Sequence, residues 1–280
     1  MSGKRIGSFR SGDRSEYFAA FGLSRVAFID PVPRQEDFGV LDFVCILASE
    51  VGRHVYPESA FFVQVKSNTE PIILDRDAVR WITHHMDQPL LICVADKAAT
   101  RLTLYSCARI WTALFRCPEG HEATEMTLLL EGDPPPTNPE ISEDKGGARF
   151  RLHLGDPILS MTLSDLEADP TAAHAVLRPW LQLDVQNIAR RRIGRIAASC
   201  FATWTTNVPP TSSYENHYFF GPYFPQAEHE LAPVLTALAH NYRHAGDKTK
   251  CEALSAFLKT IKEHLDSHGL DFAEGRNIVP

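Results

Sequence analysis

No run of about 18 apolar residues occurs in the chain, so no segment reads as a membrane-spanning helix, and the first residues (MSGKRIGSFRSGDRSEY) lack the apolar centre of a signal peptide. Both absences predict a cytoplasmic protein with no membrane partner. A P-loop, a Rossmann glycine motif and a GxSxG elbow are all missing, which leaves nucleotide hydrolysis and esterase chemistry without visible machinery. The six cysteines form no CxxC pair, and three lie in apolar runs, so buried reduced thiols in a reducing compartment are expected. Cys117 and His121 could offer two zinc ligands, where a structural site needs four. Positive charge is not in excess either. The net charge of -7 speaks against a protein that coats nucleic acid generically. The balance is uneven: residues 1–116 hold 14 basic and 13 acidic side chains, residues 117–280 hold 14 and 22. Acidity therefore belongs to the second part, and a nucleic-acid-facing surface remains electrostatically open in the first.

What the chain does have is alternating helical and strand-like patterns. Residues 13–25 read as a helix with Asp13 as N-cap, and 25–30 as a short strand ended by the Pro31 and Pro33 turn. Residues 40–48 (VLDFVCILA) and 60–67 (AFFVQVKS) are rich in branched and aromatic side chains, as strands are. Residues 75–86 carry an apolar stripe at helical spacing, and 89–95 and 101–106 read as two more strands. The order is helix, three strands, helix, two strands: an α/β arrangement in which a mixed β-sheet is flanked by helices. Beyond Cys117 a strand at 125–130 precedes GDPPPTNPEISEDKGG, whose Pro and Gly content predicts an irregular loop, and 149–154 then returns as a hairpin partner. Helices are expected over 171–181, 184–204, 228–243 and 248–268. This divides the chain into a domain at 1–116 and a mainly helical C-terminal lobe at 117–280, with a recognition or assembly role.

Strand alternation puts Gln64 and Lys66 on one face of AFFVQVKS, with Val63 and Val65 on the other. An amide and an ammonium on an otherwise apolar strand are costly to bury unless a charge or a metal satisfies them. Asp42, at the start of the preceding strand, supplies a carboxylate. Phosphodiester hydrolysis needs a divalent ion and a cation near the developing negative charge, and these three residues meet that need. Other candidates are weaker. Arg190, Arg191, Arg192 and Arg195 could contact phosphates or form a solvated helix face; Tyr214 to Phe224 suits packing better than base stacking; His84 and His85 suit a helix C-terminal dipole better than a metal.

With these residues in place, the chain resembles the PD-(D/E)xK nuclease superfamily, whose core is a helix, a three-stranded meander, a helix and a further strand. The QVK triplet is similar to the Mrr-like branch, where Gln replaces the usual acid. The segments EDFG…DF (Glu36 to Phe43) and FFVQVKS (Phe61 to Ser67) resemble uncharacterised nuclease-like domains of bacterial defence systems. The likeness covers residues 8–107. It implies that Asp42 and Gln64 bind Mg²⁺ (or Mn²⁺), that Lys66 orients or activates the attacking water, and that Glu16 on the first helix assists the metal shell. Val40 and Leu41 both separate Gly39 from Asp42, where the family pattern has a single residue. One extra residue turns Asp42 to the other sheet face unless a bulge absorbs it, and Asp37 is then the fallback carboxylate. The implied function is a metal-dependent endonuclease acting on nucleic acid, DNA in preference to RNA, as an effector in anti-phage defence. The alternatives are a catalytically inactive nuclease-like binding module and a subunit activated by a partner protein of a defence system; a homo-oligomer is left open.

Overall fold

The computed structural model describes residues 7–32, 40–117, 120, 123–132, 139–144, 147–191, 195–198, 215–218 and 223–267. Helix α1 (Gly7–Leu23) leads into strands β1 (Ala27–Pro31), β2 (Phe43–Val51) and β3 (His54–Lys66). Strand β4 (Ile72–Asp75) and helix α2 (Arg76–Arg80) follow, then a π-helical turn at Trp81–His85, and strands β5 (Leu90–Asp96) and β6 (Arg101–Ser106). Next come α3 (Ala108–Arg116), β7 (Glu125–Leu129), β8 (Glu140–Asp144), β9 (Gly147–His153), β10 (Leu159–Thr162), α4 (Leu163–Ala168) and α5 (Pro170–Arg191). The chain continues through β11 (Arg195–Ala198), β12 (Glu215–Tyr218), α6 (Tyr223–His244) and α7 (Lys248–Ser267).

The main sheet has six strands in the order β1-β2-β3-β5-β6-β10. The first three form an antiparallel meander, β5 runs parallel to β3, and β6 and β10 return antiparallel. Its placement follows from side-chain alternation. Phe43, Cys45, Leu47, Phe61, Val63, Leu91, Cys93 and Ala95 are buried in one cluster with Ala19 and Leu23 of α1 and Ala173, Leu177, Trp180 and Leu181 of α5. Alternate residues of β3, beginning with Phe62, take the opposite face, where the Phe62 ring meets Trp81 at 5.8 Å between centroids. A second sheet of four strands, β4-β7-β9-β8, and a two-stranded sheet, β11-β12, complete the β structure. The fold is therefore α/β with mixed sheets flanked by helices, as expected from the sequence.

Several boundaries differ from the sequence reading. Helix α1 begins at Gly7, ahead of Asp13. The helix expected over 75–86 is regular only to Arg80. Asp75 caps it by accepting from the Ala78 amide at 2.9 Å, and the Met86 amide then reaches five residues back to the Trp81 carbonyl at 2.8 Å. Strand β9 pairs in parallel with β7 and is no hairpin partner for it. The hairpin forms between β8 and β9, because Glu140–Asp144 lies past the prolines of the presumed loop and pairs antiparallel across from Gly147–His153. The helices expected at 171–181 and 184–204 are one helix to Arg191, followed by β11. Of the remainder, 192–194 and 199–204 lie outside the described residues.

The domain boundary moves as well. Two compact units separate after Ile188: residues 1–188 with 197–216, and residues 189–196 with 217–280. A break at 116 would cut the first unit, because β10 adds an outer strand to β6 and α5 buries its apolar stripe in the same core as β2 and β3. Residues 117–188 therefore belong to the first unit, while helices α4 to α7 make up most of the regular structure described in 117–280.

Candidate functional site

Asp42 stands at the head of β2, where the chain is gripped from both sides. Its carbonyl accepts from the Val32 amide at 3.0 Å, and its own amide donates to the Val63 carbonyl at 2.9 Å. Its carboxylate oxygen Oδ2 accepts from the Val65 amide at 2.6 Å, a short bond of the charge-assisted kind. Asp42 thus holds β3 at the residues on either side of Gln64. Phe43 is registered opposite Val63, while Asp42 also bonds the Val63 carbonyl. Asp42, one residue ahead of β2, and Phe43, its first residue, thus both answer to Val63, and the carboxylate stays at the Val65 amide. The irregularity of the β2–β3 register lies further along, between Ile46 and Ala48. Asp37, with Glu36, lies outside the described residues.

Gln64 and Lys66 follow Phe62 on the face of β3 that is turned away from α1, as their spacing of two requires. Gln64 is 4% exposed, and Lys66, the last residue of the strand, is half-buried. Because β5 runs parallel with Lys66 opposite Val94, the carboxyl ends of β3 and β5 lie side by side, next to the start of β2. Ligands of open α/β sheets characteristically gather beyond such strand ends.

Glu16 lies on another element, helix α1. Its neighbour Ser15 is 2% exposed and accepts from Lys97 Nζ at 2.7 Å, which ties this turn of α1 to the residue just past β5. Helix α1 covers the Phe61 and Val63 face, so Glu16 is carried on the face of β3 opposite to Gln64 and Lys66 and is not brought together with them there. Lys97 is the residue that sequence reading missed. Its one signal was position: a lysine directly after the apolar run LLICVAD, in a turn where Asp96 Oδ1 accepts from the Ala98 and Ala99 amides at 2.9 and 3.0 Å.

Three of the described thiols are raised by burial. Burial pushes Cys45 up to about 12, and Cys93, beside it, is raised further by burial and by the charges of Cys45 and Asp42. Cys107 is likewise raised well above its ordinary value, first by burial and then by Asp184. A thiol so protonated is a poor nucleophile. Cys117 is partly exposed, while His121 lies outside the described residues. Arg192, Tyr214 and residues 219–222 lie outside the described residues, and nothing is described of the side chains of Arg190, Arg191, Arg195 or the rest of 214–224.

Among the described residues no group of three or more His, Cys, Asp and Glu side chains is placed to hold a metal ion. The oxygen donors that the sequence reading assigned to a metal are one carboxylate, Asp42, held at the Val65 amide, and one amide, on the adjacent residue Gln64. Both are hard oxygen donors, and a small divalent ion such as Mg²⁺ takes one or two protein oxygens and completes its shell with water and phosphate. The donor set fits Mg²⁺ and lacks the nitrogen and sulfur ligands typical of zinc. No family model, no curated protein and no solved structure matches this chain.

Proposed function

We propose that the chain is a metal-dependent nuclease whose active site lies at the start of β2 and the carboxyl end of β3. The observation that carries this reading is the double grip of Asp42 on Val63 and Val65, which fixes a carboxylate beside Gln64 on the strand that also bears Lys66. The element order, a helix, an antiparallel meander, a helix and a strand parallel to the last of the three, supports the resemblance to PD-(D/E)xK nucleases. In this reading Asp42 and Gln64 would hold Mg²⁺ (or Mn²⁺). When bound, the ion supplies Lewis-acid polarisation of a phosphate oxygen and makes a water easier to deprotonate. Lys66 orients that water and offsets the charge that grows on the phosphate. Glu16 lies on the opposite face of β3 and takes no part in this step.

DNA is the favoured substrate, and a role as an effector in bacterial anti-phage defence rests on the resemblance alone. One observation favours a second reading. Asp42 Oδ2 is engaged by the Val65 amide, so the carboxylate serves the sheet as well, as it would in a nuclease-like module that binds without cutting. Incubating the purified chain with plasmid, linear duplex, single-stranded DNA and RNA, with Mg²⁺, Mn²⁺ or chelator, tests the proposal. Metal-dependent cleavage supports it. Binding without cleavage, by folded protein supplied with metal, favours the binding module.

A further inference from the structure

Helix α6 ends at His244 and hands over to α7 through a short turn. The Ala245 amide still donates to the Asn241 carbonyl at 2.9 Å, and the Gly246 and Asp247 amides donate to the Arg243 and Tyr242 carbonyls at 3.2 and 3.0 Å. Gly246 closes the turn in the left-handed conformation, at a φ of +77°. These bonds keep the last turn of α6 regular, so residues four apart in it share a face. His240 and His244 are such a pair, and both are exposed. Their Nε2 atoms face each other 2.9 Å apart, one carrying the shared hydrogen and the other accepting it, and the ring planes cross at 75° rather than stacking. The pair belongs to the second unit and plays no part in the site at Asp42.

The spacing of the two nitrogens decides what they can hold. Metal–imidazole bonds of about 2.0–2.1 Å drawn to two nitrogens 2.9 Å apart enclose about 90° at the metal, whereas a tetrahedral pair would stand about 3.3 Å apart. A right angle is the cis relation of a square-planar or tetragonal shell, which Cu²⁺ and Ni²⁺ adopt with nitrogen and oxygen ligands. The backbone favours a cation here as well, because the C-terminal end of a helix is the negative end of its dipole. Asp247 is engaged elsewhere: its Oδ1 accepts from the Lys250 amide at 3.2 Å and its Oδ2 pairs with Lys250 Nζ at 3.1 Å. Among the described residues no third His, Cys, Asp or Glu joins the two rings. The ligands are therefore imidazoles, which suit the later transition metals and not oxygen-seeking Mg²⁺.

The geometry points to a chelating site at His240 and His244 for a divalent cation of the Cu²⁺ and Ni²⁺ class, with water in the remaining positions. The cation takes the place of the shared hydrogen, and each ring then carries its own hydrogen on Nδ1. Only the helical state brings the two nitrogens together, so the cation binds the folded unit and stabilises it. The core of that unit is small, with Ala232, Ile261 and Leu265 buried between α6 and α7, and a clamp on the last turn of α6 adds to it.

Calorimetric titration of the full, reduced chain with Ni²⁺, in excess Mg²⁺ to occupy oxygen sites, tests this. The chain has 12 histidines, so the site is read by difference. Wild type is expected to take up one equivalent of Ni²⁺ that His240→Ala and His244→Ala each bind roughly a hundredfold more weakly, since the second imidazole no longer closes the chelate. Alanine is the better helix former, so loss of the site in these variants is not loss of the helix. A variant with both His244→Ala and Ala245→His keeps the histidine count but takes the rings off one face, and is expected to behave as the single variants do. Ni²⁺ is expected to raise the thermal midpoint of wild type more than that of any variant. Ni²⁺ uptake or a rise in midpoint that is the same in wild type and in the variants overturns the proposal, as does a wild type that binds no Ni²⁺.

Discussion

Replacing Asp42 by asparagine and by alanine separates the two tasks assigned to this side chain. The Val65 amide donates to its carboxylate at 2.6 Å in a half-buried setting. Alanine leaves that amide without its acceptor, and a hydrogen bond to a charged group is worth about 1.5–3 kcal/mol. For a unit of this size, with a shift of about 2–4 °C per kcal/mol, Asp42→Ala should melt roughly 3–12 °C below wild type. Asparagine keeps an oxygen acceptor in place and gives up only the charge, so the loss should stay near 1 kcal/mol or less, about 2–4 °C. Metal binding responds differently, because a hard divalent ion prefers a carboxylate to an amide. Asp42→Asn should therefore be nearly as stable as wild type yet lose metal-dependent cleavage. Thermal melts and plasmid cleavage on the same preparations read both quantities. An Asp42→Asn protein that cleaves as wild type does would refute the metal role, and an Asp42→Ala protein with an unchanged melting temperature would refute the structural one.

Gln64→Glu should lower the melting temperature in chelator, since the new carboxylate sits at a 4% exposed position, and added Mg²⁺ should restore it while preserving activity; a melting temperature indifferent to Mg²⁺ contradicts the assigned ligand. Trp111→Phe removes the indole N–H that donates to buried Asp184 at 2.7 Å and should cost about 2 kcal/mol in chemical denaturation. The box at the start of α4, where Thr162 and Asp165 bond each other, holds the Asp165 carboxyl below its ordinary value, chiefly through the Thr162 side chain. A folded value below the unfolded one of about 4 means that this stabilisation is complete above about pH 4 and fades as pH falls through the folded value. The stability gap between wild type and Asp165→Asn should close over that range.

Local pattern carried much of the first unit into view. The strands β1, β2, β3, β5 and β6 and the Gln64–Lys66 spacing follow from pattern within single segments, the meander was implied by the resemblance, and the helices α6 and α7 follow from their stripes. Elements defined by distant partners were not legible. Strand β4 has four residues and pairs with β7, about fifty residues later, and β10 pairs with β6 at a similar distance. Helix α3 runs for nine residues directly after β6, and Cys107 gives it no side-chain cap to announce its start. Strand β8 was hidden by the prolines ahead of it. The unit boundary was misplaced for the same reason: the core that joins residues 117–188 to the first sheet is made by contacts far apart in sequence. Within the site, the register question was posed by the Val40–Leu41 spacing, but the hydrogen bonds of Asp42 to Val63 and Val65 had no local signal. Lys97 became visible through Ser15, a contact across 82 positions.

Cleavage by Lys66→Ala tests the central claim most directly. Lys66 ends β3 half-buried, so its removal should leave the sheet in place and circular dichroism unchanged. Wild type should convert supercoiled plasmid in Mg²⁺ or Mn²⁺ and stop in chelator, while Lys66→Ala, folded and still able to bind DNA, should leave the plasmid intact. A folded Lys66→Ala protein that cleaves at the wild-type rate would contradict the assignment of this site.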